Sequence, residues 1–266
     1  DMAAAKDPWL LTPGPLTTSA ATKEAMLHDW GSRDAQFIET NARVLRRLLD
    51  IAGAAETHVC VPLQGSGTFT VEAALGTLIP PGDGKKDGKA LVLINGAYGK
   101  RIARILDYAG RSHISLETPE DTPPDLNDLE AALKSDTAIT HVVAVYCETT
   151  SGILNPIEDI AAVCDARGRR LLVDAMSSFG AIPIDARQIA FEGLTASANK
   201  CLQIRSTGRN CQAHQGFMAP YAAEFTKTNK NQASLHRSQG HCRRPAIETR
   251  KTSHGAVTEP RTPGEQ

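Results

Sequence analysis

The segment LLVDAMSSFG (residues 171–180) decides the fold class, because it opens with a short run of apolar residues that ends abruptly at an aspartate. Two similar runs precede it, ALVLIN (90–95) and VVAVY (142–146). Short apolar runs without alternating polar residues are typical of strands that are covered on both faces of a parallel sheet. We therefore predict that these three segments form the middle of a largely parallel sheet.

Helix signals fill the segments between these runs. The clearest helix starts at Asn155-Pro156, where the asparagine can cap and the proline suits the first position, and Gly168 follows as a stop. Further helices are predicted from about Thr68 and from about Tyr98 to Ala109. Because strand-like and helix-like segments alternate up to about residue 202, the sequence predicts an α/β fold with a mostly parallel central sheet.

Composition and charge exclude several classes of protein. The 266 residues are 41% hydrophobic and 22% charged, with a formal net charge of -1, which is typical of a globular protein with one sizeable core. No stretch approaches ~18 uncharged apolar residues, and the N-terminus lacks a basic segment followed by a hydrophobic run, so we expect a cytoplasmic protein without a membrane partner. The six cysteines lie far apart, which predicts neither a disulfide framework nor a metal site.

The segment from residue 203 to residue 266 differs from the rest of the chain. It holds ten Lys or Arg and four Asp or Glu, giving +6, whereas residues 1–202 hold 19 and 26, giving -7. Its few large apolar residues have no period, so it cannot bury enough apolar surface to offset the entropy of ordering it. We predict a domain over residues 1–202 and a polar, basic, disordered tail over 203–266.

A glycine-rich turn precedes the second of the predicted helices. The segment GSGTFTVEA (65–73) places two glycines and the hydroxyls of Ser66 and Thr68 before the helix, so that side chains and backbone N–H groups can converge on a phosphate. The same glycines also suit a tight connection with no ligand. The segment is not a nucleotide P-loop, because no Gly-Lys-Ser/Thr follows.

Asp174 and Lys200 stand where a cofactor would need them. Asp174 ends a predicted central strand, at the edge of the sheet where ligands gather in open α/β folds, and Lys200 follows 26 residues later. Taken alone, Asp174 could be a turn aspartate and Lys200 a solvated lysine. Together with a phosphate-type turn, they favour an aldehyde cofactor that forms an imine with the lysine and a pyridine nitrogen that pairs with the aspartate.

Seven segments, in order, resemble one branch of the fold-type I aminotransferases. They are LLTPGPLTTS (10–19), DWGSRD (29–34), GSGTFTVEA (65–73), NGAYGKR (95–101), ETTSGILNPI (148–157), LLVDAMSSFG (171–180) and SANKCL (197–202). The branch is the alanine–glyoxylate group of the class-V aminotransferases, and within it the segments are most similar to the 2-aminoethylphosphonate–pyruvate transaminases. The resemblance covers roughly residues 9 to 202. It implies the large domain of an enzyme dependent on pyridoxal 5′-phosphate (PLP).

The resemblance also implies a role for individual residues. Lys200 would form the Schiff base with PLP and carry the proton of the amino-group transfer, while Asp174 would keep the pyridine nitrogen protonated. Further cofactor contacts would come from Ser66, Gly67, Thr68 and Asn199 at the phosphate, Tyr98 and Met176 on the two ring faces, and Thr149 on the O3′ side. Tyr98 and Met176 would equally suit the core, and the spacing alone does not separate these alternatives.

DWGSRD implies the substrate. Trp30, Ser32 and Arg33 offer a cation and a hydroxyl to a phosphonate dianion, although Arg33 could instead pair with Asp29 or Asp34. The implied reaction transfers the amino group of 2-aminoethylphosphonate to pyruvate, giving phosphonoacetaldehyde and L-alanine. The alternative is an alanine–glyoxylate or serine–pyruvate type of transamination.

Residues after Leu202 depart from the family pattern. Family members continue with a glycine-rich segment, further strands and a C-terminal small domain, and they pair as homodimers, whereas this chain reads as truncated or frameshifted after about residue 202. An inactive remnant is therefore the remaining alternative, with a basic tail that binds nucleic acid or acidic surfaces without specificity. An unselected extension explains that tail equally simply, and we expect no specific nucleic-acid partner.

Overall fold

The computed structural model of the chain describes residues 8–81, 88–202 and 215–220. Its seven strands are β1 (His58–Leu63), β2 (Lys89–Ile94), β3 (Ser112–Glu117), β4 (Ile139–Val145), β5 (Arg170–Asp174), β6 (Gly193–Ala196) and β7 (Gln215–Pro220). Its α-helices are α1 (Ala20–Ala25), α2 (Ala35–Ile51), α3 (Gly67–Leu78), α4 (Ala97–Tyr108), α5 (Leu126–Ser135) and α6 (Ile157–Ala166).

The seven strands form one sheet in the order β1-β7-β6-β5-β4-β2-β3. The five strands β3, β2, β4, β5 and β6 pair in parallel, and β7 runs antiparallel to both β1 and β6. The three predicted central strands are β2, β4 and β5, and in the chain α5 lies between β3 and β4 and α6 between β4 and β5. The prediction of an α/β fold with a mostly parallel sheet is confirmed.

Both faces of the central strands are covered, which explains their continuous apolar runs. Val92 faces one core cluster together with residues of α3 and α4, while Val142 faces the other, together with residues of α5 and α6. Both valines are fully buried. At about 25 cal/mol per Å² of apolar surface removed from water, each such side chain stabilises the fold by roughly 1.5–3 kcal/mol.

The helix α6 starts differently from the prediction. It begins at Ile157, with Pro156 in the capping position, and the Asn155 side chain does not cap it. Asn155 is buried, donates to the Val145 carbonyl oxygen at 2.8 Å and exchanges side-chain hydrogen bonds with Asn95. The asparagine pair thus satisfies buried polar groups between the ends of β2 and β4, a demand that outweighs capping here.

The strand β7 lies inside the segment for which no regular structure was predicted. Residues 215–220 fill the position between β1 and β6, with Phe217 opposite both Val61 and Thr195. For these six residues the expectation of disorder is therefore wrong. Ladder hydrogen bonds of the two neighbouring strands can hold a segment that its own side-chain pattern would not identify. The rest of the predicted tail lies outside the described residues.

Candidate active site

One cavity brings most of the predicted cofactor residues together at the carboxyl ends of the parallel strands. It has a volume of about 120 Å³ and lies between the first turns of α3 and α4, the end of β5 and the turn after β6. The predicted residues that line it are Gly67, Thr68, Tyr98, Asp174, Met176, Asn199 and Lys200. Five further lining residues were not predicted, namely Val71, Arg101, Ile102, Ile105 and Ser197.

Asp174 is a buried carboxylate with few partners. It is the last residue of β5, it is 5% exposed, and its Oδ1 accepts one hydrogen bond, 3.0 Å long, from the Met176 N–H. The pKa of Asp174 is raised to about 6, chiefly by burial and also by the nearby Glu148 charge, against the lowering effects of the Met176 N–H, Arg101 and Lys200. A cation placed in the cavity beside Asp174 would offset the cost of its charge.

Lys200 lies in the short segment Ala198–Leu202 after β6, at a kink where its own backbone is non-helical (φ -103, ψ -135). Its Nζ donates a hydrogen bond of 3.1 Å to the Pro13 carbonyl oxygen. The adjacent Gly14 has φ +130, and a Cβ there would overlap the Lys200 side chain, with Nζ at 3.0 Å. The turn that contains Pro13 and Gly14 therefore packs directly on the Lys200 side chain and holds its Nζ in place.

The first turn of α3 presents Gly67 and Thr68 to the cavity. Ser66 is the N-cap of this helix, its Oγ accepts the Phe69 N–H at 3.2 Å, and it does not line the cavity. A helix N-terminus carries free N–H groups and a partial positive charge, both of which favour an anion. Of the three residues predicted at the phosphate from this turn, two face the cavity and Ser66 instead supports the helix that carries them.

Arg101 is a cation at this cavity that the sequence motifs did not indicate. Its guanidinium donates to Thr68 Oγ1 at 3.2 Å and lies 4.6 Å from the centroid of the Tyr98 ring. The signal was available, because residues three apart on a helix share a face. If Tyr98 faces the cofactor site, Arg101 on the same face of the helix is expected to face it as well.

Glu148 is a second residue whose role the sequence motifs did not indicate. It lies in the loop that follows β4 and is fully buried. Its carboxylate accepts hydrogen bonds from the backbone N–H groups of Tyr98, at 3.2 Å, and Gly99, at 3.4 Å. It also accepts the Thr150 hydroxyl at 2.8 Å. Glu148 therefore joins the first turn of α4 to the loop after β4.

Four of the predicted site residues besides Ser66 do not line the cavity. Thr149 Oγ1 lies 2.6 Å from Ser177 Oγ, in a hydrogen bond between two loops. Trp30 packs against His28 and Phe37, with ring centroids 4.2 and 5.9 Å away. Ser32 and Arg33 are exposed, and within the described residues Arg33 forms no ion pair with Asp29 or Asp34. The substrate role of Trp30, Ser32 and Arg33 stays a prediction, as does the cofactor role of Thr149.

Over residues 8–81, 88–202 and 215–220, no cluster of three or more His, Cys, Asp or Glu side chains is arranged to hold a metal ion. In the same part of the chain, every helix is too short or too polar to span a membrane.

Comparison with curated proteins gives strong matches over most of the chain. A 2-aminoethylphosphonate–pyruvate transaminase of Pseudomonas fluorescens is 56% identical over 197 residues, which is 74% of this chain and 52% of that protein. One from Pseudomonas aeruginosa is 56% identical over 200 residues, covering 75% of this chain and 53% of that protein. The chain thus spans about half the length of the curated relatives it matches.

Solved structures share the fold at lower sequence identity. An alanine–glyoxylate aminotransferase from Nostoc sp. matches with a TM-score of 0.71 and 22% identity, over 86% of this chain and 58% of that one. A pyridoxamine–pyruvate aminotransferase from Mesorhizobium loti matches with a TM-score of 0.71 and 24% identity, over 85% and 54%. The family described as "Aminotransferase class-V" matches residues 16–205, which include every residue that lines the cavity. The chain belongs to the class-V aminotransferase family.

Proposed function

We propose that residues 1–202 are the large-domain part of a PLP-dependent transaminase that transfers the amino group of 2-aminoethylphosphonate to pyruvate. The products would be phosphonoacetaldehyde and L-alanine. The observation that carries the proposal is the meeting of Asp174, Lys200 and the first turn of α3 in one cavity. The names of relatives that are 56% identical support the choice of substrates. A cytoplasmic location and a homodimer complete the proposal.

The residues of the cavity fit the three reactive parts of PLP. Asp174 provides the main test of this fit, because a buried carboxylate with one hydrogen bond and a pKa raised to about 6 needs a cationic partner, and a pyridinium supplies one. Gly67 and Thr68 at the N-terminus of α3 would hold the phosphate. Lys200 would bind the aldehyde carbon through Nζ.

Each of these groups would have one task in the reaction. When bound, PLP supplies an electron sink for the negative charge that develops on the substrate carbon beside the amino group. Asp174 would hold the proton at the pyridine nitrogen, which strengthens that sink. Lys200 Nζ would take the proton from the substrate carbon and return it elsewhere, starting from its position at the Pro13 carbonyl. Tyr98 and Met176 would confine the ring between them.

Arg101 would add a cation to the phosphate site, because it donates to Thr68 at the start of α3. We expect Arg101→Met to weaken PLP binding by roughly 10–100-fold, the effect of losing one hydrogen bond between charged groups. The affinity for pyridoxal, which lacks the phosphate, should fall by no more than about twofold in the same variant. Both affinities can be measured by absorbance titration.

The control for Arg101 is Arg104→Met, which removes an exposed arginine of the same helix that does not line the cavity. Its affinities for PLP and pyridoxal should equal those of the parent chain. Equal losses for PLP and pyridoxal in Arg101→Met would show that the guanidinium does not act on the phosphate.

The substrate is tested by half-reactions with one amine at a time. We expect the PLP-loaded chain to convert 2-aminoethylphosphonate to phosphonoacetaldehyde, which can be trapped as a hydrazone, at least about tenfold faster than it deaminates L-alanine alone. The reason is that a phosphonate dianion presents three oxygens and two negative charges to charged hydrogen bonds, whereas L-alanine presents only a carboxylate with one negative charge. Faster reaction of alanine would favour the sister activity, an alanine–glyoxylate or serine–pyruvate type of transamination.

A further inference from the structure

The helix α4 carries two of the cavity's side chains, Tyr98 and Arg101, but it does not cap its own N-terminus. Its N-cap is Gly96, which has no side chain to accept the free N–H groups of the first turn. Helix termini that lack such acceptors are normally satisfied by another part of the molecule or by water. The acceptors of these N–H groups therefore decide how firmly the first turn of α4 is held.

The loop after β4 supplies the whole cap. Ala97 N–H donates to Thr150 Oγ1 at 3.4 Å, and the N–H groups of Tyr98 and Gly99 donate to Glu148 at 3.2 and 3.4 Å. The Thr150 hydroxyl in turn donates to Glu148 Oε1 at 2.8 Å, which joins the two acceptors. Both carboxylate oxygens are used, and the negative charge stands at the positive end of the helix dipole.

Gly96 makes this arrangement possible. Its φ of 172 is extended backbone that any residue can adopt, so the glycine is not required for its conformation. A Cβ at this position would overlap the Glu148 side chain, with Oε2 at 2.8 Å. The glycine in NGAYGKR therefore leaves the space that the glutamate of ETTSGILNPI fills, and this packing connects the two segments.

We propose that Glu148 is a positioning residue of this site, which holds the first turn of α4 so that the Tyr98 ring lies where the cofactor ring would stack. The inference rests on the proposed function, because it takes PLP as the ligand. Glu148 does not line the cavity and so would act through Tyr98. Its burial and its bonds to the Tyr98 and Gly99 backbone make it rigid, and a rigid cap restricts the ring that follows it.

The test is a double-mutant cycle on the full chain with Glu148→Gln and Tyr98→Ala. The amide of glutamine replaces one acceptor oxygen with a donor that would face backbone N–H groups, so we expect PLP affinity to fall by roughly tenfold. The circular dichroism of the bound cofactor should also weaken, because the ring is held less firmly. With Tyr98 already replaced by alanine, Glu148→Gln should cost no more than about twofold, because distant, independent changes add and coupled ones do not.

Asp125→Asn is the matched control, because Asp125 is also a carboxylate that caps a helix. It accepts the Asn127 N–H at 2.7 Å at the start of α5 and does not line the cavity. This variant should leave PLP affinity and the cofactor's circular dichroism unchanged. If Glu148→Gln fails to fold, Thr150→Ala removes only the hydroxyl that bridges Ala97 and Glu148, and the same dependence on Tyr98 should appear with a smaller amplitude.

The outcomes separate the inference from the proposed function. An equal loss of affinity with and without the Tyr98 ring would overturn the positioning role, because Glu148 would then act on the fold or on the Asp174 charge and not through Tyr98. Unchanged PLP affinity and circular dichroism in a folded Glu148→Gln variant would overturn it as well. A parent chain that forms no borohydride-reducible link to PLP would instead contradict the proposed function, before any variant is made.

Discussion

Lys200→Ala is expected to abolish the covalent capture of PLP completely. In the part of the chain that the structure describes, Lys200 is the lysine that lines the cavity, and its Nζ is held at the Pro13 carbonyl. Imine formation needs an amine within reach of the aldehyde carbon, and Lys200 supplies that amine at the cavity. Alanine removes the amine and leaves the other residues that line the cavity in place.

The measurement for Lys200→Ala is reduction with borohydride followed by peptide mass spectrometry. The parent chain should carry one pyridoxyl group on the peptide that contains Lys200, and the variant should carry none. Lys100→Ala is the control, since Lys100 is an exposed lysine of α4 that does not line the cavity. A pyridoxyl group on another lysine of the parent chain would show that the assignment of Lys200 is wrong.

The central strands could be predicted from the sequence and the outer ones could not, for a physical reason. Strands buried on both faces, such as β4, consist of apolar residues whatever their neighbours are. β3 lies at one edge of the sheet with half-exposed and exposed residues, so Ser112–Glu117 has no continuous apolar run. β6 has four residues, and β7 is held by pairing rather than by its own pattern. Only the three-dimensional arrangement identifies such strands.

The same distinction applies to the site. Asp174 and Lys200 could be predicted because they stand at or just after strand ends, where the topology alone brings residues together. Glu148 could not, because its partners in α4 lie some fifty residues earlier and its role depends on the space beside Gly96. Thr149, its neighbour, was predicted at the cofactor but bonds Ser177 in the structure.

Asp174→Asn is the second variant with a large expected effect. The asparagine side chain is nearly the same size, so PLP should still be captured at Lys200. A neutral amide cannot hold the pyridine nitrogen protonated, however, and the sink for the developing carbanion becomes weaker. We expect the half-reaction with 2-aminoethylphosphonate to slow by roughly 10²–10³-fold, the range seen when one preorganised electrostatic contact is removed. Stopped-flow absorbance measures this rate directly.

The pH dependence of stability gives an independent check on Asp174 in the chain without PLP. Because burial raises its pKa from 3.8 to about 6, the folded state holds this proton more tightly than the unfolded state does. The resulting stabilisation is fully present below pH 3.8 and is lost as the pH rises through 6. This difference between the folded and unfolded pKa of Asp174 corresponds to about 3 kcal/mol of unfolding free energy.

Asp174→Asn should remove that part of the pH dependence, because an amide does not titrate in this range. Urea unfolding at several pH values between 4 and 7 gives the unfolding free energy of the parent chain and of the variant. The slope of this free energy against pH should differ between the two. PLP should act in the opposite direction on the parent chain, since a pyridinium beside Asp174 favours its charged form and lowers its pKa. The parent with PLP should therefore lose less stability on going from pH 4 to pH 7 than the parent without it. If PLP left this loss unchanged while still linked to Lys200, the pairing of Asp174 with the pyridine nitrogen would be wrong, even though the lysine assignment would stand.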